Sequence, residues 1–206
     1  MAAGIIALVL EANPGLTWRD VQHIIVRTAK RANLKGDDWR QNGAGYNVSH
    51  AFGFGLMDAG EMVALATEWK TVGEQARCET EYAGTEVSLD GRERKELEVV
   101  VEECEDVAVI EHVHVTVDIS SRSRRGLFSL ELTSPSGTVS KLLAPRPLDN
   151  SLSGFANFRT WPLMSTHYWG EDPAGTWTLT VINGGERTAY VGGWRLIVYG
   201  TTEETN

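Results

Sequence analysis

The sequence predicts a mainly β chain, an antiparallel sandwich or jelly roll preceded by a short helical section. Three observations carry this. Two windows near the start place apolar residues at helical spacing, and strict alternation takes over in the second half. Gly, Pro and Asn turns then separate one alternating run from the next.

The helical section opens with "AAGIIALVLEA". Every residue from Ala2 to Leu10 is small or apolar, so this helix has no polar face and is built to be enclosed. Leaving Ile5, Ile6, Leu8, Val9 and Leu10 in water costs on the order of 10 kcal/mol, comparable to a whole domain's net stability. The two helices and Gly-rich loop that follow are too little to surround it. A signal peptide is the competing reading, but the segment lacks a basic first region and no small-x-small cleavage site follows Leu10.

The second helix starts at "LTWRD", with Thr17 as N-cap and Asp20 three residues later in a capping-box position. Trp18, Val21, Ile25 and Ala29 are its expected apolar face. The third is "MDAGEMVALATEW", with Asp58 as cap and Met62, Leu65, Ala66 and Trp69 as its stripe. Between them "WRQNGAGYNVSHAFGFG" reads as loop and short strand.

Past Thr71 the period becomes two. "IEHVHVTVDI" puts Val113, Val115, Val117 and Ile119 on one side and His112, His114, Thr116 and Asp118 on the other. "LFSLELT" gives Phe128, Leu130 and Leu132, the turn "SPSG" leads into "TVSKLLA", and "TWTLTVI" gives Trp177, Leu179 and Val181. The domain boundary falls near residues 70–77, separating 1–70 from a β domain over 71–206 that runs to about residue 201.

The chain carries a net charge of -9 over 206 residues. An acidic chain is a poor nucleic-acid binder, since phosphate contact needs clustered Lys and Arg. No apolar run approaches the ~20 residues that cross a bilayer. The two cysteines, Cys78 and Cys104, allow one disulfide or two buried thiols. Paired, they would close a loop of about 26 residues, worth roughly 3.5 kcal/mol in the chain-entropy model. "NVS" makes Asn47 a glycosylation candidate.

Several ordered blocks together resemble furin- and kexin-like proprotein convertases, a branch of the subtilisin-like serine proteases. "AAGIIALVLEANPGLTWRDVQHIIVRTA" is similar to the segment that follows the active-site serine, and "VSHAFGFGLMDAGEMVALA" to the last loop and helix of that catalytic domain. "IEHVHVTVDI", "LTSPSGT", "GEDPAGTWTL" and "GWRLIVYG" resemble successive strands and turns of the P (homo B) domain. The implied fold is a jelly-roll β-sandwich P domain preceded by part of an α/β subtilisin-like domain.

The resemblance places the nucleophile five residues before Met1 and the triad Asp and His further upstream. No catalytic residue is therefore assigned within this chain. The whole enzyme it implies is a calcium-dependent serine endoprotease of the secretory pathway. Such an enzyme cuts protein precursors after paired basic residues, and its catalytic domain is the partner of this β domain. A Cys78–Cys104 disulfide and a glycan at Asn47 suit that compartment. The rival function is a stand-alone jelly-roll module that binds a glycan or a protein.

Remaining features read more plainly. Arg122, Arg124 and Arg125 in "RSRR" have the Arg-x-Arg-Arg form that convertases cleave, and also suit a basic turn. Relatives carry Arg-Gly-Asp there, whereas this chain has Arg125-Gly126-Leu127. His112 and His114 share a strand face, and Glu102, Glu103, Glu105 and Asp106 form an acid cluster; solvated surface is the expectation for both, and no metal ligand is assigned. His23 reads as a satisfied histidine of the helical section. Trp161, Trp169, Trp177 and Trp194 are expected in the core.

Overall fold

A computed structural model describes residues 1–149 and 156–202. The chain divides into two compact units, one over Met1–Glu74 and one from Gln75 onward.

The first unit holds three helices, α1 (Ala2–Ala12), α2 (Trp18–Thr28) and α3 (Ala59–Glu68), with a two-stranded ribbon of β1 (Arg40–Gln41) and β2 (Asn47–Val48). Its core gathers Val9, Leu16, Val21, Ile24, Met62, Ala66, Trp69 and Val72. Helix α3 follows the sequence closely. Asp58 caps it by accepting from the Glu61 N–H at 3.1 Å, and Met62 and Ala66 are buried. The Asn13 amide ties α1 to α3 by donating to the Ala66 carbonyl at 2.9 Å.

Helix α2 departs from the expected face. Trp18 is 63% exposed, while Asp20, Val21, His23, Ile24 and Thr28 are buried. The cause is what Asp20 of the cap binds beyond its own helix. The Thr17 hydroxyl accepts from the Asp20 N–H at 3.2 Å and donates to the Asp20 carboxylate at 2.7 Å. That carboxylate also takes the Trp69 indole N–H and the Val72 N–H, both at 2.8 Å. Asp20 therefore points inward, and positions three, four and eight residues on share its side of the helix.

The second unit is a two-sheet antiparallel sandwich. Its strands are β3 (Ala76–Glu79), β4 (Ala83–Leu89), β5 (Arg94–Val101), β6 (Val109–Ser121), β7 (Phe128–Thr133), β8 (Val139–Leu143), β9 (Ala156–Ser165), β10 (Gly175–Asn183) and β11 (Ala189–Thr201). One sheet has the order β5-β10-β7-β8 and the other β3-β11-β6-β9, with β4 pairing a second stretch of β11. The chain changes sheet at nearly every connection after β5, as a jelly roll requires. Alternation on the long strands drives the packing. Val113, Val115 and Val117 of β6, Leu130 and Leu132 of β7, Trp177, Leu179 and Val181 of β10, and Trp194 and Leu196 of β11 all lie in one buried cluster.

A bulge between Val191 and Gly193 lets β11 keep its long pairing with β6. Gly193 has φ of +155°, and a Cβ there would sit 2.5 Å from the Ala83 carbonyl oxygen. Only glycine fits this backbone approach. Trp169, Trp177 and Trp194 are core residues as expected, but Trp161 is 51% exposed on β9. Its register partner on β6 is the core residue Val117, but β9 is the last strand of its sheet and leaves the indole half in solvent.

Candidate functional site

The helical unit presents the most unusual surface. Of α1, only Val9 is fully buried; Leu8 is 51% exposed, and Ala3, Gly4, Ala7 and Leu10 are exposed beside it. An open cleft of about 470 Å³, lined by Leu8, Glu11, Ala12, Ala59, Gly60 and Val63, runs along α1 and the start of α3. Neighbouring apolar side chains exposed in this way form a contiguous patch of the kind that mates with other protein. What the geometry can do here is bind an apolar surface. It offers no acid–base pair.

Two hydrogen-bonded carboxylates, buried Asp20 and half-buried Asp38, order the helical unit. Burial pushes the Asp20 carboxyl up, but the hydroxyl and N–H of Thr17, the Val72 N–H and the Trp69 indole together hold it below its ordinary value. His23 is also buried, with its ring centroid 6.1 Å from that of Trp69. In the Gly-rich loop, the Ser49 hydroxyl donates to both oxygens of Asp38, at 2.8 and 2.9 Å, and the His50 N–H adds a third bond at 2.7 Å. The Ser49 hydrogen bond, outweighing the cost of desolvation, holds Asp38 below the usual carboxylate range.

Asn47 lies exposed on β2, two residues before this clamp, with Ser49 buried. Its side chain is therefore placed on the surface side of the ribbon. Cys78 of β3 and Cys104, in the turn after β5, are joined as a disulfide. That bond pins the edge strand β3 to the connection between the sheets.

The "RSRR" segment is a folded turn. Ser123 N–H donates to the Ser121 hydroxyl at 3.0 Å, and a 3-10 turn follows at Arg125–Leu127. Arg125 pairs with Asp149 at 2.9 Å, which raises its pKa and lowers that of Asp149. Gly126 is buried, and a Cβ there would lie 2.2 Å from the Arg146 carbonyl oxygen. The Arg-Gly-Leu tripeptide is thus packed, with only Leu127 of the three exposed.

His112 and His114 form a ring cluster rather than a solvated face. Their centroids are 5.2 Å apart, His112 stacks on Tyr199 at 4.6 Å, and His114 meets Tyr199 edge-on at 5.1 Å. Desolvation, helped by nearby Arg77, lowers the His114 pKa. Glu102, Glu103, Glu105 and Asp106 are exposed on the turn around Cys104. Among the described residues no three His, Cys, Asp or Glu side chains converge as a metal-binding group. The calcium that the resemblance implies therefore finds no fitting ligand set among them.

Sequence reasoning passed over two buried glutamates of the sandwich. Glu111 is fully buried and accepts from the Gln75 amide at 2.7 Å. Glu171 accepts from the Ser134 hydroxyl at 2.6 Å and from the Thr138 hydroxyl, which clamps the β7–β8 turn. The usable signal was "SPSGT", a turn with two hydroxyls spaced to reach one carboxylate. Ser140 and Ser165 hydroxyls bond each other at 2.7 Å, linking β8 to β9. These hydroxyls hold loops and strands together.

Comparison with known proteins places these elements. Residues 110–198 match the proprotein convertase P-domain family, and residues 1–55 match the subtilase family. The chain is 49% identical over 201 residues to furin-like protease 1, isoform 1-CRR, of Drosophila melanogaster, covering 98% of this chain and 18% of that protein. It is 46% identical over 208 residues to furin of Mus musculus, covering 99% of this chain and 26% of that protein. The chain thus spans a quarter or less of the length of the first relative and about a quarter of the second. The crystal structure of a serine protease of Aeromonas sobria superposes with a TM-score of 0.82 at 22% identity, covering 97% of this chain and 43% of that one. At that identity the likeness speaks to the fold alone.

Proposed function

We infer that this chain, which joins the end of a subtilase-family domain to a proprotein convertase P-domain, works as the supporting part of a furin-like serine endoprotease. In this reading the apolar face of α1 packs inside the body of a catalytic domain. The sandwich that follows stabilises that domain. The assembled enzyme cuts secretory precursors after paired basic residues, depends on calcium bound outside the residues described here, and works in the secretory pathway. The functional boundary between the two parts lies between residues 1–70 and 71–206, and Asn47 is a glycan acceptor on the helical part.

The single observation that carries this reading is the apolar exposure of α1 within the stretch that matches the subtilase family. Leu8 and Leu10 sit at 51% and 38% exposure on a helix without a polar face. Such a helix is stable in water only when other protein covers it. The match to a P-domain further along the chain gives the order expected of a convertase.

A chimera tests the inference. The 206 residues are fused behind the preceding part of the mouse furin catalytic domain, and hydrolysis of a fluorogenic Arg-x-Arg-Arg peptide is followed. The expected result is calcium-dependent turnover by the chimera and none by the chain alone. Turnover by the isolated chain, or a folded chimera without activity, would contradict it.

A further inference from the structure

We propose that one end of the sandwich is a binding site for a sulfated glycan chain. The turn after β6 and the turn that carries the chain from β10 in one sheet to β11 in the other meet there. Two open grooves lie along this meeting, of about 390 and 570 Å³, and both are lined by Arg122 and Arg187. Arg92 and Arg124 line the larger groove, and Tyr190 the smaller. All four arginines are exposed. The one carboxylate among the described lining residues is Glu186, which pairs with Arg92 at 3.0 Å with both side chains more than 70% exposed. An exposed pair of that kind is held weakly and yields to a stronger anion.

This concentration of cations runs against the whole chain's net charge of -9. Charges further away than ~8 Å are screened at physiological salt, so the local balance decides what binds; there Asp90, which accepts from the Thr188 hydroxyl at 3.2 Å, joins Glu186 against the four arginines. Arginine suits the ligand class, because its planar fork takes two oxygens of a sulfate or phosphate at once. The smaller groove also holds Ser120 and Thr188, short hydroxyl side chains that match sugar hydroxyls. Tyr190 is 57% exposed at the mouth and gives a flat ring for a sugar face.

The backbone is built to present this surface. The Ser121 hydroxyl donates to the Thr188 carbonyl at 3.3 Å, and the Ser123 hydroxyl reaches the Arg187 carbonyl at 3.4 Å. The Gly184 N–H donates to the Leu127 carbonyl at 3.1 Å. A Cβ on Gly185 would lie 2.5 Å from the Ser123 hydroxyl oxygen, so the close approach of the two turns depends on that glycine. Arg122, Arg124 and Arg187 are therefore fixed on two turns bound to each other, and Arg92, on the turn between β4 and β5, is tied to them by its N–H, which donates to the Gly185 carbonyl at 2.9 Å.

The choice of polyanion follows from the disulfide. Cys78–Cys104 belongs to an oxidising compartment. Nucleic acids and the anionic lipid leaflet face the reducing side of the membrane, whereas sulfated polysaccharides share the oxidising one.

Titration calorimetry of the full chain with a heparin decasaccharide tests the site. We expect binding that weakens steeply with NaCl, and no binding of the same oligosaccharide after complete desulfation. The triple variant Arg122→Gln, Arg124→Gln, Arg187→Gln should lose roughly tenfold or more in affinity and show a shallower salt slope. Tyr190→Ala should weaken binding without changing that slope. Arg94→Gln, an exposed arginine outside the grooves, should bind as the parent does. Circular dichroism checks folding, and if the triple variant is unfolded, Arg124→Gln alone is read instead. Absence of heparin binding, equal binding by the variants, or equal affinity for a polyglutamate peptide or single-stranded RNA would overturn the proposal.

Discussion

The two units solve the same problem with unequal means. The sandwich closes its core with its own strands, and its buried cluster runs through both sheets from Leu89 to Val198. The helical unit collects a much smaller cluster and leaves most of α1 in solvent. Fold size explains the gap. Two sheets face each other and bury a side chain from every second position, whereas two short helices cannot encircle a third that is apolar all round. The lesson is that hydrophobic content alone does not predict independence. What matters is whether the partner surface lies in the same chain.

The sharpest way to break this comparison is to hollow the sandwich. Trp177 is fully buried and its indole N–H donates to the Pro173 carbonyl at 2.9 Å. Trp177→Ala should cost about 3–5 kcal/mol, read as a lower denaturant midpoint for near-UV circular dichroism of the β unit. Next comes the disulfide. Cys78→Ser with Cys104→Ser should cost about 2–4 kcal/mol, because the cross-link restrains the unfolded chain. That loss should appear in the sandwich and leave the helical unit's melting unchanged.

A smaller effect is expected in the helical unit. Asp20→Ala leaves the Trp69 and Val72 donors without their acceptor. It should destabilise that unit by about 1–3 kcal/mol. Acid gives the same result without mutation. Because the folded Asp20 pKa lies below its unfolded value, its stabilising contribution is complete above the unfolded pKa. It fades as pH falls from about 4 through the lowered folded value. Trp69 fluorescence followed on acid titration should report this loss, and the Asp20→Ala chain should not show it. The least costly change is at the surface. Leu8→Lys with Leu10→Lys should alter stability by about 0.5 kcal/mol or less while raising solubility. A Lys at buried Leu130 should instead unfold the sandwich.

Much of this organisation was legible in the residues. Alternation located β6, β7 and β10, because burial on one face of a strand writes itself as period two. The caps of α2 and α3 were legible because Thr17, Asp20 and Asp58 do their work within three residues. The inward face of α2 was not. It is set by Trp69 and Val72, some fifty residues on, and local apolar spacing favoured Trp18 instead. The face of His112 and His114 was misjudged for a related reason: Tyr199 covers it from the neighbouring strand β11. The cation cluster escaped because Arg122 and Arg187 are distant in sequence and meet only through the turns.

Amide hydrogen exchange on the intact chain tests the central claim most directly. The account predicts slow exchange, near the global limit, for the amides of β6, β10 and β11, and rapid exchange for those of α1. Protection of α1 equal to that of β6 would contradict it, since the helix would then need no further protein to hold it.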